Sequence, residues 1–170
     1  MMTSKSLNVM MWTAWQALVS HRYNTYMNDT AKGSPPGLFP LLHAANSAQA
    51  KVESKLAAHG LSLPKLAALR ALRDAGDSLP LGQLASRLSC VKSNITQLVD
   101  RLEADGFVSR TPDPNDRRSR LAVMTAAGRK ACETGIRAQR QAERELFGSL
   151  SAEEARQLAR LMEKLAPGTR

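Results

Sequence analysis

The segment LPLGQLASRLSCVKSNITQLVDRLEADG, residues 79–106, excludes most architectures for this chain. Leu81, Leu84, Ala85 and Leu88 recur at helical spacing, and Ile95, Leu98, Val99 and Leu102 follow the i, i+3, i+4, i+7 pattern. Each set is the apolar stripe of a short helix that buries one face. Between the stripes only Ser89, Cys90 and Val91 are free to turn the chain. Two short helices joined by three residues form a helix-turn-helix pattern.

The residues after the second helix complete the unit. Gly106 supplies a stop, and FVSRT and RLAVM have strand composition on either side of a Pro-rich tip. The chain is therefore expected to make a β-hairpin whose loop, Pro112 to Arg120, projects with Arg117, Arg118 and Arg120 packed into it. A helix-turn-helix leading directly into such a hairpin is a winged helix, spanning residues 63–125 with the helix that precedes it.

The rest of the chain reads as helix. Leu41, Leu42, Ala45, Val52 and Leu56 mark a helix over 38–60, and Leu66, Leu69 and Leu72 mark another from Leu63 to about Ala75, capped by Ser62 and stopped by Gly76. Thr125 caps a long helix to about Phe147, with Ala127, Ala131, Gly135, Ala138 and Ala142 as a small-residue stripe. Ser151 with Glu154 is a capping box opening a last helix that carries Leu158, Leu161, Met162 and Leu165. Residues 1–37 form a separate extension, with an amphipathic helix around Leu7 to Leu18 and a Gly/Pro linker. The fold class is mainly α with a small β-hairpin wing. The helices over 38–60 and 126–166 carry more apolar surface than the winged helix can cover, which predicts pairing of two copies through them.

Composition narrows the partner. The net charge is +9, spread as +2 or +3 over each of 1–37, 38–78, 79–125 and 126–170, so a polyanion would meet a shaped face and not a basic tail. The two cysteines, Cys90 and Cys132, make no disulfide framework and fit a reducing, cytoplasmic compartment. Cys90, in the turn, is expected to be a small buried packing residue, and Cys132 to pack as well. His21, His43 and His59 share no metal-ligand spacing, so no metal or other cofactor is expected. Neither a Gly-rich phosphate loop nor a nucleophile elbow is present, which argues against an enzyme. The apolar run Val9 to Ser20 is too short to span a bilayer.

The chemistry sits on the second helix of the pair and on the wing. Opposite its apolar stripe the helix shows Lys92, Ser93, Asn94, Thr96, Gln97 and Arg101. Asn and Gln pair bidentately with adenine, Lys and Arg with guanine, and hydroxyls reach phosphates or base edges. A polar helix face is ordinarily just solvated. Such faces are rich in Glu and Lys, however, and this one has no carboxylate before Asp100. An arginine at the tip of a narrow hairpin suits the minor groove or a phosphate, and Asp116 can orient Arg118 and fix the turn. The alternative is an ordinary charged turn.

Asp116-x-Arg118, five residues, and Met124-Thr125-x-x-Gly128 together resemble the wing-to-helix signature D-x-R-x5-L-T-x-x-G of the MarR family of bacterial transcription regulators. SNITQLVDRLEADGFVSR is similar to that family's recognition helix and first wing strand, and the order of elements matches from about Leu38 to Leu165. Met124 stands in place of the usual Leu, and Val91 where a capping Ser is common. The resemblance implies a cytoplasmic homodimer that binds double-stranded DNA at an inverted repeat, typically as a repressor relieved by small phenolic or aromatic ligands or by cysteine oxidation. It places the ligand where the dimer helices meet the winged lobe. Here that region offers His43, Arg70 and Arg73 to an anionic aromatic effector, with walls from Leu42, Leu66 and Leu69. The competing reading has those arginines solvated or paired with Asp74 and Asp77. At the level of function the competitors are a non-specific nucleic-acid binder, for which this chain has few aromatics to stack bases, and a winged helix that docks proteins.

Overall fold

The computed structural model describes residues 37–114, 116 and 119–165, without the side chain of Lys92. The helix and linker expected within residues 1–37 lie outside the described residues, as do Arg117 and Arg118 of the wing tip. The chain divides into two compact units, residues 1–51 and 52–170. The described elements run α1 (Leu38–Ala57), α2 (Leu63–Arg73), β1 (Ser78–Pro80), α3 (Leu81–Arg87), α4 (Lys92–Ala104), β2 (Val108–Pro112), β3 (Arg120–Met124), α5 (Ala126–Phe147) and α6 (Ala152–Leu165).

Local chemistry explains most boundaries. The Ser62 hydroxyl accepts from the Lys65 N–H at 3.4 Å at the start of α2, and Thr125 accepts from the Gly128 N–H at 3.0 Å at the start of α5. At α6 the Ser151 and Glu154 box closes in both directions, at 2.8 and 3.3 Å. The turn after α4 passes through Gly106 at φ +73°, a left-handed backbone that a side chain would strain. Helix α1 ends at Ala57, three residues short of the expected Gly60, because the His59 and Leu61 N–H groups already return to the Leu56 carbonyl.

The core of the second unit is where the apolar stripes meet. Leu66, Leu69 and Leu72 of α2, Leu84 of α3 and Ile95, Val99 and Leu102 of α4 are all at most 2% exposed. Leu56 joins them from the end of α1, with Val108, Ala122 and Met124 from the strands. The wing is wider than the expected hairpin. β1 pairs antiparallel with β3 through Leu79↔Ala122, giving a three-stranded sheet of order β1-β3-β2. Three residues with a proline at the end are too short a run to read as a strand. It forms because β3 needs a partner on its inner edge, and the Met124 N–H extends the pairing to the Asp77 carbonyl at 2.8 Å.

Three expectations need correction. The residues between α3 and α4 are four, 88–91, not three, with Ser89 at φ +51°. Cys90 is exposed and not packed between the helices, its thiol donating to the Leu88 carbonyl at 3.3 Å, because the left-handed Ser89 swings the next side chain outward. On α5 Ala127 is exposed, and the buried seam begins with Gly128 and Cys132. Cys132 is fully enclosed, and burial pushes its thiol up despite the opposing Arg73 and Arg70.

Gly128 and Gly135 let α5 come close. A β-carbon at 128 would overlap the Phe107 carbonyl oxygen and lie 2.9 Å from Met124 Cγ; at 135 it would lie 2.7 Å from a Leu66 methyl and 2.8 Å from a Leu61 methyl. Gly128→Ala is therefore expected to cost about 3 kcal/mol or more, since its obstacle is backbone, while Gly135→Ala meets movable methyl groups and costs less. Thr125→Ala should cost about 1 kcal/mol as a lost cap. Conversely, α4 starts on Val91, which makes no side-chain cap bond. Val91→Ser should stabilise by about 1 kcal/mol, raising Tm by roughly 2–4 °C. Thermal unfolding of the four variants checks this order, and an unperturbed Gly128→Ala would contradict it.

Candidate nucleic-acid interface

Helix α4 carries its polarity as its sequence period dictates. Ile95, Val99 and Leu102 point into the core, Leu98 is half-buried, and Ser93, Asn94, Thr96, Gln97 and Arg101 are all exposed. Five of the six residues expected to read DNA thus share one solvent-facing surface; the side chain of the sixth, Lys92, lies outside the described residues. A face of amides, hydroxyls and a guanidinium can exchange water for base edges and phosphates.

Three ion pairs, from two cations, pin this helix. Arg110 of β2 reaches the Asp100 carboxylate at 2.5 Å and Glu103 at 3.5 Å, and it donates to the Thr96 carbonyl at 3.1 Å. Its own backbone N–H donates to Glu103 at 3.1 Å, so one residue binds the wing to α4 through main chain and side chain together. At the C-cap of α4, just beyond Glu103, Lys65 of α2 meets Asp105 at 2.6 Å. Surface pairs of this kind contribute little to global stability. Their use here is geometric, because Arg110 joins strand β2 to Asp100 and Glu103 of α4 at once.

Sequence reasoning passed over Arg110, although a signal existed. Strand side chains alternate, and Arg110 shares the inward face of β2 with buried Val108. A cation directed inward calls for acidic partners, and Asp100 and Glu103 stand one helical turn apart on α4. Its Nε is nonetheless buried without a hydrogen-bond partner among the described residues.

The wing is a regular antiparallel ladder from Val108↔Met124 to Pro112↔Arg120. Beyond it the backbone closes on itself. The Asp113 N–H donates to the Ser119 carbonyl, the Ser119 N–H to the Asp116 carbonyl at 2.9 Å, and the Asp116 N–H to the Asp113 carbonyl. Asp116 therefore helps fix the turn through its main chain. Arg120 is exposed at the base of the loop. The orientation of Arg118 by Asp116 falls on residues outside the described set.

The residues expected to hold a ligand are differently placed. His43 belongs to the first unit, and Arg70 and Arg73 to the second. Arg73 holds Asp74 through two guanidinium nitrogens at 3.0 and 3.2 Å, which raises its pKa. Asp77 is paired with Arg129 at 2.7 Å and not with either arginine, and Arg70 meets only the Gln139 amide, at 3.4 Å. Leu66 and Leu69 are core residues with essentially no accessible surface, so they do not form pocket walls as expected; the stripe of α2 is used up in packing.

Known proteins share this arrangement. A family model described as the MarR family matches residues 61–119. The transcriptional activatory protein BadR of Rhodopseudomonas palustris is 37% identical over 97 residues, which cover 56% of this chain and 55% of BadR. The multiple antibiotic resistance protein MarR of Salmonella typhimurium is 34% identical over 100 residues, 58% of this chain and 69% of that protein. A crystal structure of a mutant MarR from E. coli complexed with operator DNA matches with a TM-score of 0.67 at 27% identity, covering 76% of this chain and 94% of that one. With its helix-turn-helix, its three-stranded wing and the Met124-Thr125-x-x-Gly128 junction, this chain belongs to the MarR family of DNA-binding transcription regulators, which are not enzymes.

Proposed function

We propose that the protein binds an inverted-repeat operator in double-stranded DNA as a homodimer and acts as a cytoplasmic, ligand-responsive repressor. The observation that carries the DNA-reading part is the exposed Ser93-to-Arg101 face on a helix that Arg110 joins to β2. Asn94 and Gln97 read base edges, Ser93, Thr96 and Lys92 serve phosphates or bases, and Arg101 anchors the backbone. Arg117, Arg118 and Arg120 of the wing, positioned by Asp116, serve the backbone or the adjacent minor groove. A winged helix that docks proteins would not need so polar and basic a face. No described helix is long and apolar enough to cross a membrane.

Dimerisation is supported by exposed apolar surface on α1 and α6. Leu38 and Leu41 of α1 are 64% and 50% exposed, and Leu161, Met162 and Leu165 of α6 are 49%, 52% and 69% exposed. No residue of α6 is buried, although Leu158, Leu161, Met162 and Leu165 line one side of it. A second copy meeting these faces would bury them and set two α4 helices one DNA turn apart, ~34–36 Å. The repressor assignment rests on resemblance, and the activatory role in BadR's name makes the opposite sign a defined outcome. An anionic aromatic effector engaging Arg73 would meet a guanidinium already shared with Asp74. A ligand favouring the lobe spacing that mismatches the operator by a hundredfold would oppose DNA binding by ~2.7 kcal/mol.

The first measurement is DNA affinity on specific and random duplexes. Asn94→Ala or Gln97→Ala is expected to cost on the order of 1–3 kcal/mol and to relax preference at particular base pairs. Arg101→Ala or Arg118→Ala should weaken both duplexes alike and lower the salt slope by about 1. Arg110→Ala should lose discrimination with little loss of stability. Equal losses on both duplexes for every variant would refute the division of labour, and a promoter-occlusion assay reads the sign of regulation.

The second measurement is the oligomeric state. A chain ending near Leu150 is expected to sediment as a monomer and lose operator binding while its winged lobe stays folded. Hydrogen bonds from Ser151 hold the Glu154 carboxyl below its usual range. The cap on α6 is therefore fully present above the ordinary carboxylate pKa and weakens as pH falls through the lowered one. Dimer content should hold from pH 7 to 5 and decline only below, and a monomer that binds a palindrome tightly at pH 7 would overturn the dimer.

A further inference from the structure

Helix α5 carries a second basic surface, away from α4 and the wing. Arg137, Arg140 and Arg144 line one cleft with His59, Thr134 and Gln141, over Ala138 as part of its wall. The cleft encloses about 500 Å³, within the ~300–1,000 Å³ range of small-molecule sites. The three arginines span seven residues of helix, roughly 10 Å along its axis at 1.5 Å per residue.

Their charges are left uncompensated by carboxylates among the described residues. Some guanidinium groups elsewhere find carboxylates, as in Arg73–Asp74, Arg110–Asp100, Arg129–Asp77 and the Arg156 and Arg160 pairs with Glu153, whereas Arg70 and Arg87 donate to an amide oxygen and a main-chain carbonyl. Arg140 and Arg144 have no hydrogen-bond or ion-pair partner among the described residues, and Arg137 donates only to the Thr134 hydroxyl, at 2.9 Å. Of the nearby carboxylates, Glu145 holds Lys55 at 2.9 Å and Gln141 at 3.2 Å, and Glu143, which lines an adjoining cleft with Arg140 and Arg144, accepts from Gln139 at 2.8 Å. Like charges three and four residues apart on a helix are mutually destabilising, so this arrangement lowers the stability of free α5.

We infer that this cleft binds a small organic anion carrying two or more phosphoryl groups. A guanidinium fork grips a phosphoryl oxygen pair bidentately, and three forks strung along ~10 Å outnumber the acceptors of a monoanion. A diphosphate supplies acceptors to Arg140 and Arg144 together and leaves Arg137 and His59 for its far end. Gln141, whose amide N–H is taken by Glu145, keeps its carbonyl oxygen for a hydroxyl or amine of the organic part. The site is separate from the α4 face and does not depend on the DNA-binding reading.

Isothermal titration of the full chain with pyrophosphate and ADP, beside acetate and AMP, tests the site. Saturable binding of one pyrophosphate or ADP per chain is expected, with a Tm rise of roughly 5–10 °C at a hundredfold excess over Kd. Acetate should have no effect, and AMP should bind at least tenfold more weakly than ADP. Arg140 and Arg144 are exposed, so the double variant R140Q/R144Q should fold as the wild type does and weaken pyrophosphate at least tenfold. Arg101→Gln, on the α4 face, should leave that affinity unchanged. Undiminished binding by the double variant, loss of binding in Arg101→Gln, or no saturable binding at all would overturn the site. A sedimentation change in the double variant would overturn it too, because carboxylates of a second copy would then occupy the cleft.

Discussion

A single carbonyl, that of Phe107, holds the two halves of the second unit in register. It accepts from the Thr125 N–H at 3.1 Å and lies 3.2 Å from the Thr125 hydroxyl, whose shorter contact, 2.7 Å, is with the Gly106 carbonyl. The same oxygen occupies the space that a side chain at position 128 would need. The turn leaving α4 and the first turn of α5 are thereby in backbone contact. The wing, which begins and ends at this junction, has both strand roots fixed by it. A threonine cap with glycine three residues later is the chemistry such an approach demands: one side chain to satisfy the helix's first donors, and no side chain where the other backbone passes.

The interface inherits its rigidity from that junction. The apolar stripe of α4 fixes its rotation, Lys65 holds its C-cap, and Arg110 ties its C-terminal turns to β2. A groove reader needs side chains placed within a fraction of an ångström, and rigid elements with locked neighbours provide this better than loops do. None of these exposed pairs contributes much free energy by itself. Their role is to narrow the angle between helix and wing.

Charge elsewhere is organised on a different principle. Arg73, Arg110, Arg129, Arg156 and Arg160 are each held locally by a carboxylate. Arg140 and Arg144 are among the arginines that are not, and they stand together on one helix. Apolar surface shows the same segregation. The winged lobe buries or half-buries its leucines, whereas Leu38, Leu41 and Leu42 of α1 and Leu161 and Leu165 of α6 are exposed. A chain that hides one set of leucines and displays another has a use for the displayed set.

The helices were legible because each is a local object: an apolar period, a cap and a stop written within about twenty residues. Hence α2, α4, α5 and α6 begin and end close to where Ser62, Gly106, Thr125 and the Ser151–Glu154 box put them. The exposed face of α4 was legible too, since one face of an amphipathic helix implies the other. Features that depend on partners distant in sequence were out of reach. Strand β1 exists only because β3 offers it an edge, and Arg110 acquires its meaning only where β2 crosses α4. Cys90 turned outward because Ser89 adopts a left-handed backbone, which no residue type there announces. Leu66 and Leu69 were consumed by the core although their period alone would have suited a pocket wall as well. The sequence by itself determined which segments coil and which faces are apolar, through interactions spanning a few residues. Tertiary structure decided which polar groups meet, because ion pairs and backbone approaches depend on positions in space that periodicity does not encode.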